Sequence, residues 1–195
     1  RATPLPDVLV PVMREAAERG RDGEPAAENL AALLVLAAYA DGRRLSMLAP
    51  AAADWPSPPR TTLQLHGRRD LAQHFLISAA LAAAGGSTLS MAVGLSKEVD
   101  DARGGSGFSF IDLAADEAGT RFGERAVGSG AAAFGHRAAA GVSDDALLPV
   151  PAGLEERLTE AEFRARYGGV GSDRYRRVLD RIRQGLAQST LYAPP

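Results

Sequence analysis

Apolar positions recur at helical spacing along most of the chain, and glycine and proline cut the pattern into pieces. From Pro6 to Arg19, Val8, Val12 and Ala16 share one face and Gly20 follows as a stop, which predicts a first helix. A second is predicted from Pro25, suited to a first helical turn, to Ala40, with Leu30, Leu33, Leu34 and Ala37 on one side and Asp41-Gly42 behind it. Residues Ala49 to Arg60 hold four prolines and read as an irregular connection, and Thr61 to Leu65 then alternates like a short strand. With no second strand in the pattern, no sheet is expected.

Asp70 to Ala84 reads as a helix stopped by Gly85-Gly86, and Ser87 to Ala102 as another, with Ser87 as its N-cap. Ser109 and Asp112 have capping-box spacing at the head of a helix to Val127, on which Gly119 and Gly123 lie four apart and predict close packing against a neighbouring helix. Gly128 to Ala152 is weakly patterned, with a short helix at Ala131–Ala139. Thr159 and Glu162 cap a helix that ends at Gly168-Gly169; Ser172 opens the last one, with Tyr175, Val178, Leu179 and Ile182 inward and Arg174, Arg177, Arg181 and Arg183 outward. The expected fold class is all-α: a compact multi-helix single domain over 1–195, with N-terminal helices and a Pro-rich connection in 1–60, close-packed Ala/Gly-rich helices in 61–127 and a helical hairpin in 153–195.

Composition sharpens this picture. Of 195 residues 38 are Ala and 21 Gly while aromatics make up 6%, so helix backbones can approach closely. A net charge of -2 excludes a strongly basic nucleic-acid binder, and zero cysteines exclude thiolate metal sites, a catalytic thiol and disulfides. Arginine outnumbers lysine 21 to one, the single lysine being Lys97. The most apolar stretches, 30–40 and 75–84, fall short of the ~20 residues a bilayer needs, so a soluble protein without a transmembrane segment is expected. The chain begins at Arg1, which raises the expectation of a removed leader such as a secretory signal.

Chemistry-bearing residues gather between Asp70 and Glu124. Asp70, His74 and Ser78 stand four apart on one helix face; a Ser–His–Asp relay is a poor fit, because successive turns of one helix do not supply its geometry. The next helix offers Lys97, Glu98, Asp100 and Asp101, and the third Asp112 and Asp116. Packed as antiparallel neighbours, these helices would bring His74, Glu98, Asp112 and Asp116 together as ligands of a hard or borderline divalent cation, or as acid/base groups with Glu98 or Asp116 as general base and His74 as ligand or acid. Asp70, Lys97, Asp101 and Ser109 are the candidate ligand-binding neighbours. The bland alternative is open for each: Asp112 as a cap, Asp70 as a first-turn acid, Lys97 and Glu98 as surface residues, His74 as a hydrogen-bonded core histidine. An EF-hand from Asp101 fails because Arg103 and Gly105 stand where oxygen ligands belong, and Gly104 to Gly107 lacks the ending of a phosphate loop.

The segment His74-Phe75, Lys97-Glu98-Val99-Asp100-Asp101, Ser106 to Asp116 and Gly119 resembles the pattern of bacterial envelope lipoproteins of the YfiM type, over about 55 residues, with a more distant likeness to VanZ-type helical proteins. The resemblance implies an α-helical, exported or periplasmic bacterial protein whose pattern residues are His74, Lys97, Glu98, Asp112 and Asp116, and it brings no known reaction. The chain has no lipobox cysteine and carries long regions outside the match, so a lipid anchor is not implied. Two functions from different classes are expected to compete. In one, a His/carboxylate pocket binds a divalent cation or small polar ligand, with hydrolysis of an envelope polymer as the reaction. In the other, a non-catalytic structural or interaction protein uses its polar cluster only to lock helix packing. A third expectation makes the arginine face of the last helix a contact for anionic lipid or polymer.

Overall fold

The structure, a computed structural model, describes residues 2–47, 49–56, 58–85 and 107–193. Among them the fold is mostly helical, with eight α-helices: α1 (Leu5–Arg19), α2 (Pro25–Ala40), α3 (Arg69–Gly85), α4 (Phe110–Val127), α5 (Ala131–Ala140), α6 (Asp144–Leu147), α7 (Glu160–Tyr167) and α8 (Asp173–Gln188). The helix expected over Ser87 to Ala102 lies outside the described residues. No helix among them is long and apolar enough to cross a membrane.

Two details of the N-terminal part differ from the sequence reading. The short strand does find a partner: β2 (Thr62–Gln64) pairs in parallel with β1 (Ala2–Pro4), Thr3 opposite Leu63, and the Thr3 and Thr61 hydroxyls meet at 2.7 Å. A three-residue strand that ends on Pro4 carries no periodic signal, which is why β1 is invisible in the pattern. The inward stripe of α1 is also rotated. Leu5, Leu9, Met13 and Ala16 are buried, whereas Val8 and Val12 sit at the edge of the core and stay partly exposed. Likewise α2 buries Asn29, Ala32, Leu33, Leu36 and Ala38, leaving Leu30, Leu34 and Ala37 at the margin. In both helices apolar residues cover more than one face, so spacing alone left the orientation undecided.

The centre of the molecule is the α3–α4 pair. Phe75 on α3 meets Phe122 on α4 edge to face, with ring centroids 5.5 Å apart. The two backbones touch at the expected glycines. A Cβ on Gly119 would lie 2.1 Å from the Phe75 carbonyl oxygen, and one on Gly123 would lie 2.2 Å from that of Ala79. Such proximity trades helix propensity for dispersion contact along the seam. Around this pair α1, α2 and α5 complete one core, to which α6, α8 and the C-terminal Leu191 and Tyr192 also contribute.

A second cluster joins the head of α4 to the C-terminal hairpin. Phe108 and Phe110 are fully buried, Phe108 stacking on Phe163 at 4.0 Å, with Tyr175 and Leu158 alongside. Phe108 and Leu158 exchange backbone hydrogen bonds of 2.7 and 2.9 Å. Gly107 lets the chain enter this bridge: its φ is +85°, and a Cβ there would fall 2.5 Å from the Arg157 carbonyl carbon. In the hairpin, Thr159 and Glu162 form the expected capping box and Ser172 caps α8. Helix α6, capped by Ser143, replaces the loop expected there, since four residues are too few to show a helical period.

Candidate functional site

Helices α3 and α4 cross with their chemistry-bearing faces together. His74 and Ser78 lie one turn apart on α3, Asp112 and Asp116 one turn apart on α4, and His74 inserts between the two carboxylates. Its Nδ1 is 3.1 Å from Asp116 Oδ1, and its Nε2 is 3.9 Å from Asp112 Oδ2. Ser78 Oγ donates to the same Asp116 oxygen at 2.8 Å. The hydroxyl and the imidazole thus share a carboxylate instead of contacting each other in the relay order, so the geometry does not build a Ser–His–Asp relay. His74, Ser78 and Asp116 are buried at 9%, 3% and 4% exposure. Asp116 Oδ2 is buried and has no hydrogen-bond partner among the described residues.

The Asp116 carboxylate at Nδ1 orients the ring so that Nε2 faces Asp112 Oδ2 across 3.9 Å. Burial pushes the Asp112 carboxyl above its ordinary value, opposed by His74 and Arg68. Ser109, buried at the N-cap of α4, accepts a hydrogen bond from the Asp112 amide, so it acts on the site by fixing the helix end that carries Asp112.

Arg68, absent from the sequence-derived candidates, is the hub of the outer part. It grips Asp70 through two bonds of 3.1 and 2.6 Å, donates to Glu156 at 2.6 Å and reaches Asp112 Oδ1 at 3.3 Å. The fork to Arg68 holds the Asp70 carboxyl below its ordinary value. Asp70 therefore neutralises Arg68 at the rim, and Glu156, 88 residues away in sequence, is brought in by the bridge at Phe108. A charge in the turn before a helix gave no sequence signal beyond its proximity to Asp70. In sum the described cluster sets Asp70, Asp112, Asp116 and Glu156 against Arg68 and His74, an excess of negative charge.

Lys97, Glu98 and Asp101, expected as further members together with Asp100, lie outside the described residues. Among the described residues no three His, Asp or Glu side chains converge as a metal-holding group. On the other side of Asp116 a cleft of about 410 Å³ opens, bounded by Leu113, Glu117, Tyr175 and Arg183. Burial pushes the Tyr175 phenol up to about 12, so it faces that cleft protonated. Arg183 is exposed on the outward face, as expected, and there forms a two-pronged pair with Glu117, both bonds 3.0 Å. Arg174 and Arg181 donate to the carbonyls of Arg166 and Ala152, so of the four arginines only Arg177 is without such a contact among the described residues. Compared with models of known families, with curated proteins and with solved structures, the chain finds no match.

Proposed function

We propose that the His74 cluster is a binding site for a divalent cation, in a helical protein of the bacterial envelope. The observation that carries the reading is the imidazole held between two carboxylates, with Nδ1 on Asp116 and Nε2 facing Asp112 Oδ2 at 3.9 Å. Two ligands each ~2.1 Å from one cation stand ~3.4 Å apart at the tetrahedral angle and ~4.2 Å apart when opposed, so the observed separation suits a shared ion. Asp116 supplies the outer carboxylate that metal-bound histidines use to fix their tautomer. The excess negative charge of the cluster favours a cation over an anion.

Within this reading His74 and Asp112 are ligands and Asp116 orients the imidazole, which leaves general-base work to another carboxylate; the sequence nominates Glu98. Hydrolysis of an envelope polymer is the reaction such a site would serve, the ion polarising the scissile group. The envelope location is supported by the resemblance in the 74–119 segment alone.

Calorimetric titration with Zn²⁺, Mn²⁺ and Ca²⁺ tests the proposal. One ion per chain is expected, lost in His74→Ala and Asp112→Asn while helicity is retained, and weakened roughly 10–100-fold in Asp116→Asn. No uptake by the wild-type chain ends it. If His74→Ala instead costs a few kcal/mol of stability with no ion to lose, the cluster is a packing lock.

A further inference from the structure

The described parts of the connection after α2, residues 41–47, 49–56 and 58–61, line a cleft of about 1020 Å³ together with α1, α2 and the first turns of α3. That is at the upper end of the roughly 300–1,000 Å³ typical of small-molecule sites. Its walls are apolar: Val8 and Val12 from the margin of α1, Val35 from α2, and Trp55, which is 62% exposed, from the connection. One wall is fixed in place. The Tyr39 hydroxyl accepts from the Thr61 amide at 2.9 Å and donates to the Pro59 carbonyl at 2.5 Å, tying the returning strand of the connection to α2.

Among the described residues, charge at the cleft has one sign. Arg43, Arg44, Arg60 and Arg69 line it, and among the described residues no acidic side chain does. Arg43 is paired with Asp41, but Arg44, Arg60 and Arg69 have no carboxylate partner among the described residues. This is unusual in a chain of net charge -2, whose other guanidiniums at the His74 cluster and the C-terminal hairpin are largely paired. Large apolar walls with unpaired arginines beside them match a molecule that has a hydrocarbon body and an anionic end.

We propose that this cleft binds a single-chain carboxylate of the fatty-acid class, its alkyl chain against Val8, Val35 and Trp55 and its carboxylate on the guanidiniums of Arg44 and Arg60. Burial of the chain supplies affinity, and the guanidinium fork supplies the preference for an anion. The site is independent of the His74 cluster, and the failure of either reading leaves the other standing.

Trp55 is the only tryptophan in the chain and reports directly on the cleft. Its emission is followed while laurate, below its micellar concentration, is added to the full chain. A saturable blue shift is expected, with affinity reduced about tenfold or more in Arg44→Ser/Arg60→Ser, exposed positions whose loss leaves the circular dichroism unchanged. Dodecyltrimethylammonium and dodecyl maltoside should bind at least tenfold more weakly, and acetate should not compete. The proposal is overturned if the cationic or neutral amphiphile binds as well as laurate, if the double variant binds laurate unchanged, or if acetate displaces it. It is equally overturned if only anionic vesicles shift Trp55 and monomeric laurate does not, or if sedimentation shows a second copy of the chain covering Trp55 that laurate fails to displace.

Discussion

Replacing Gly119 by alanine adds one methyl group at the tightest point between α3 and α4. The new Cβ would lie 2.1 Å from the Phe75 carbonyl oxygen, whereas real Cβ contacts essentially never fall under 3.0 Å, so the helices must separate by at least 0.9 Å. A gap of 0.5–1 Å forfeits roughly a quarter to a half of each dispersion contact along the seam, and the seam includes Phe75, Ala79, Ala115, Ala118 and Phe122, all fully buried. Overpacking of this kind costs about 1–3 kcal/mol, and a clash with backbone rather than a flexible side chain belongs at the upper end. Alanine returns about 1 kcal/mol of helix propensity. The net expectation is a loss of about 2 kcal/mol, read as a lowered urea midpoint at unchanged slope. Gly185→Ala on α8 is the control. Its Cβ would meet nothing nearer than the Pro149 carbonyl oxygen at 3.5 Å, so only propensity acts and a gain of about 0.5–1 kcal/mol is expected. A Gly119→Ala chain within 0.5 kcal/mol of wild type would refute the close-packing argument. Because Phe75 follows His74, the same separation should loosen the His74–Asp116 contact and weaken cation uptake.

Two other outcomes follow from the polar groups. Asp112 and Asp70 both face Arg68 but titrate in opposite senses: burial raises Asp112 above 3.8, and the Arg68 fork lowers Asp70 below it. Ionised Asp112 therefore penalises folding above its native pKa, a penalty relieved as pH falls through that value; Asp70 contributes stability above 3.8 that is lost as pH falls through its lower native value. Carboxyl-carbon NMR titration should give an Asp112 midpoint above that of Asp70, and the reverse order would refute the assignment. Buried Asn29 donates to the Ala126 and Ala131 carbonyls at 2.8 and 3.1 Å, joining α4 to α5. Asn29→Ala should cost about 2 kcal/mol by thermal denaturation and Asn29→Asp more, because a carboxylate would face both carbonyls without a donor; equal losses would show that those bonds are not the source.

Helix positions were legible wherever termination was chemical. Pro25, the Ser109 cap, the Thr159–Glu162 box and Gly168 each satisfy or break backbone hydrogen bonds locally, so their effect can be read without knowing the fold. Gly119 and Gly123 were legible for a related reason: glycine costs helix stability, and paired at four-residue spacing it implies a compensating contact. Orientation was less accessible. Val8 and Leu9 are equally apolar, and only the partners packed against α1 decide that Leu9 goes inside and Val8 to the cleft. At the site, the His74, Asp112 and Asp116 convergence could be anticipated from faces of neighbouring helices. Arg68 and Glu156 could not, because their meeting depends on the Phe108–Leu158 bridge, a contact between segments 50 residues apart that no local pattern encodes.

The pairing of β1 with β2 has a topological consequence. It ties Thr3 to Thr61 across a separation of 58 residues, so α1, α2 and the cleft-forming connection lie inside one closed loop fastened by two three-residue strands. Closing such a loop costs chain entropy that grows only slowly with its length, but two short strands repay little of it by themselves. The fastening is therefore sustained by the packing of Leu5 and Leu63 on either side of it, and belongs among the last contacts to form. The clasp and the enclosed cleft are in this sense one cooperative unit: opening the strand pair would release the wall that carries Tyr39's contacts before the α3–α4 seam gives way, uncoupling the arginine-lined face from the rest of the molecule without unfolding it.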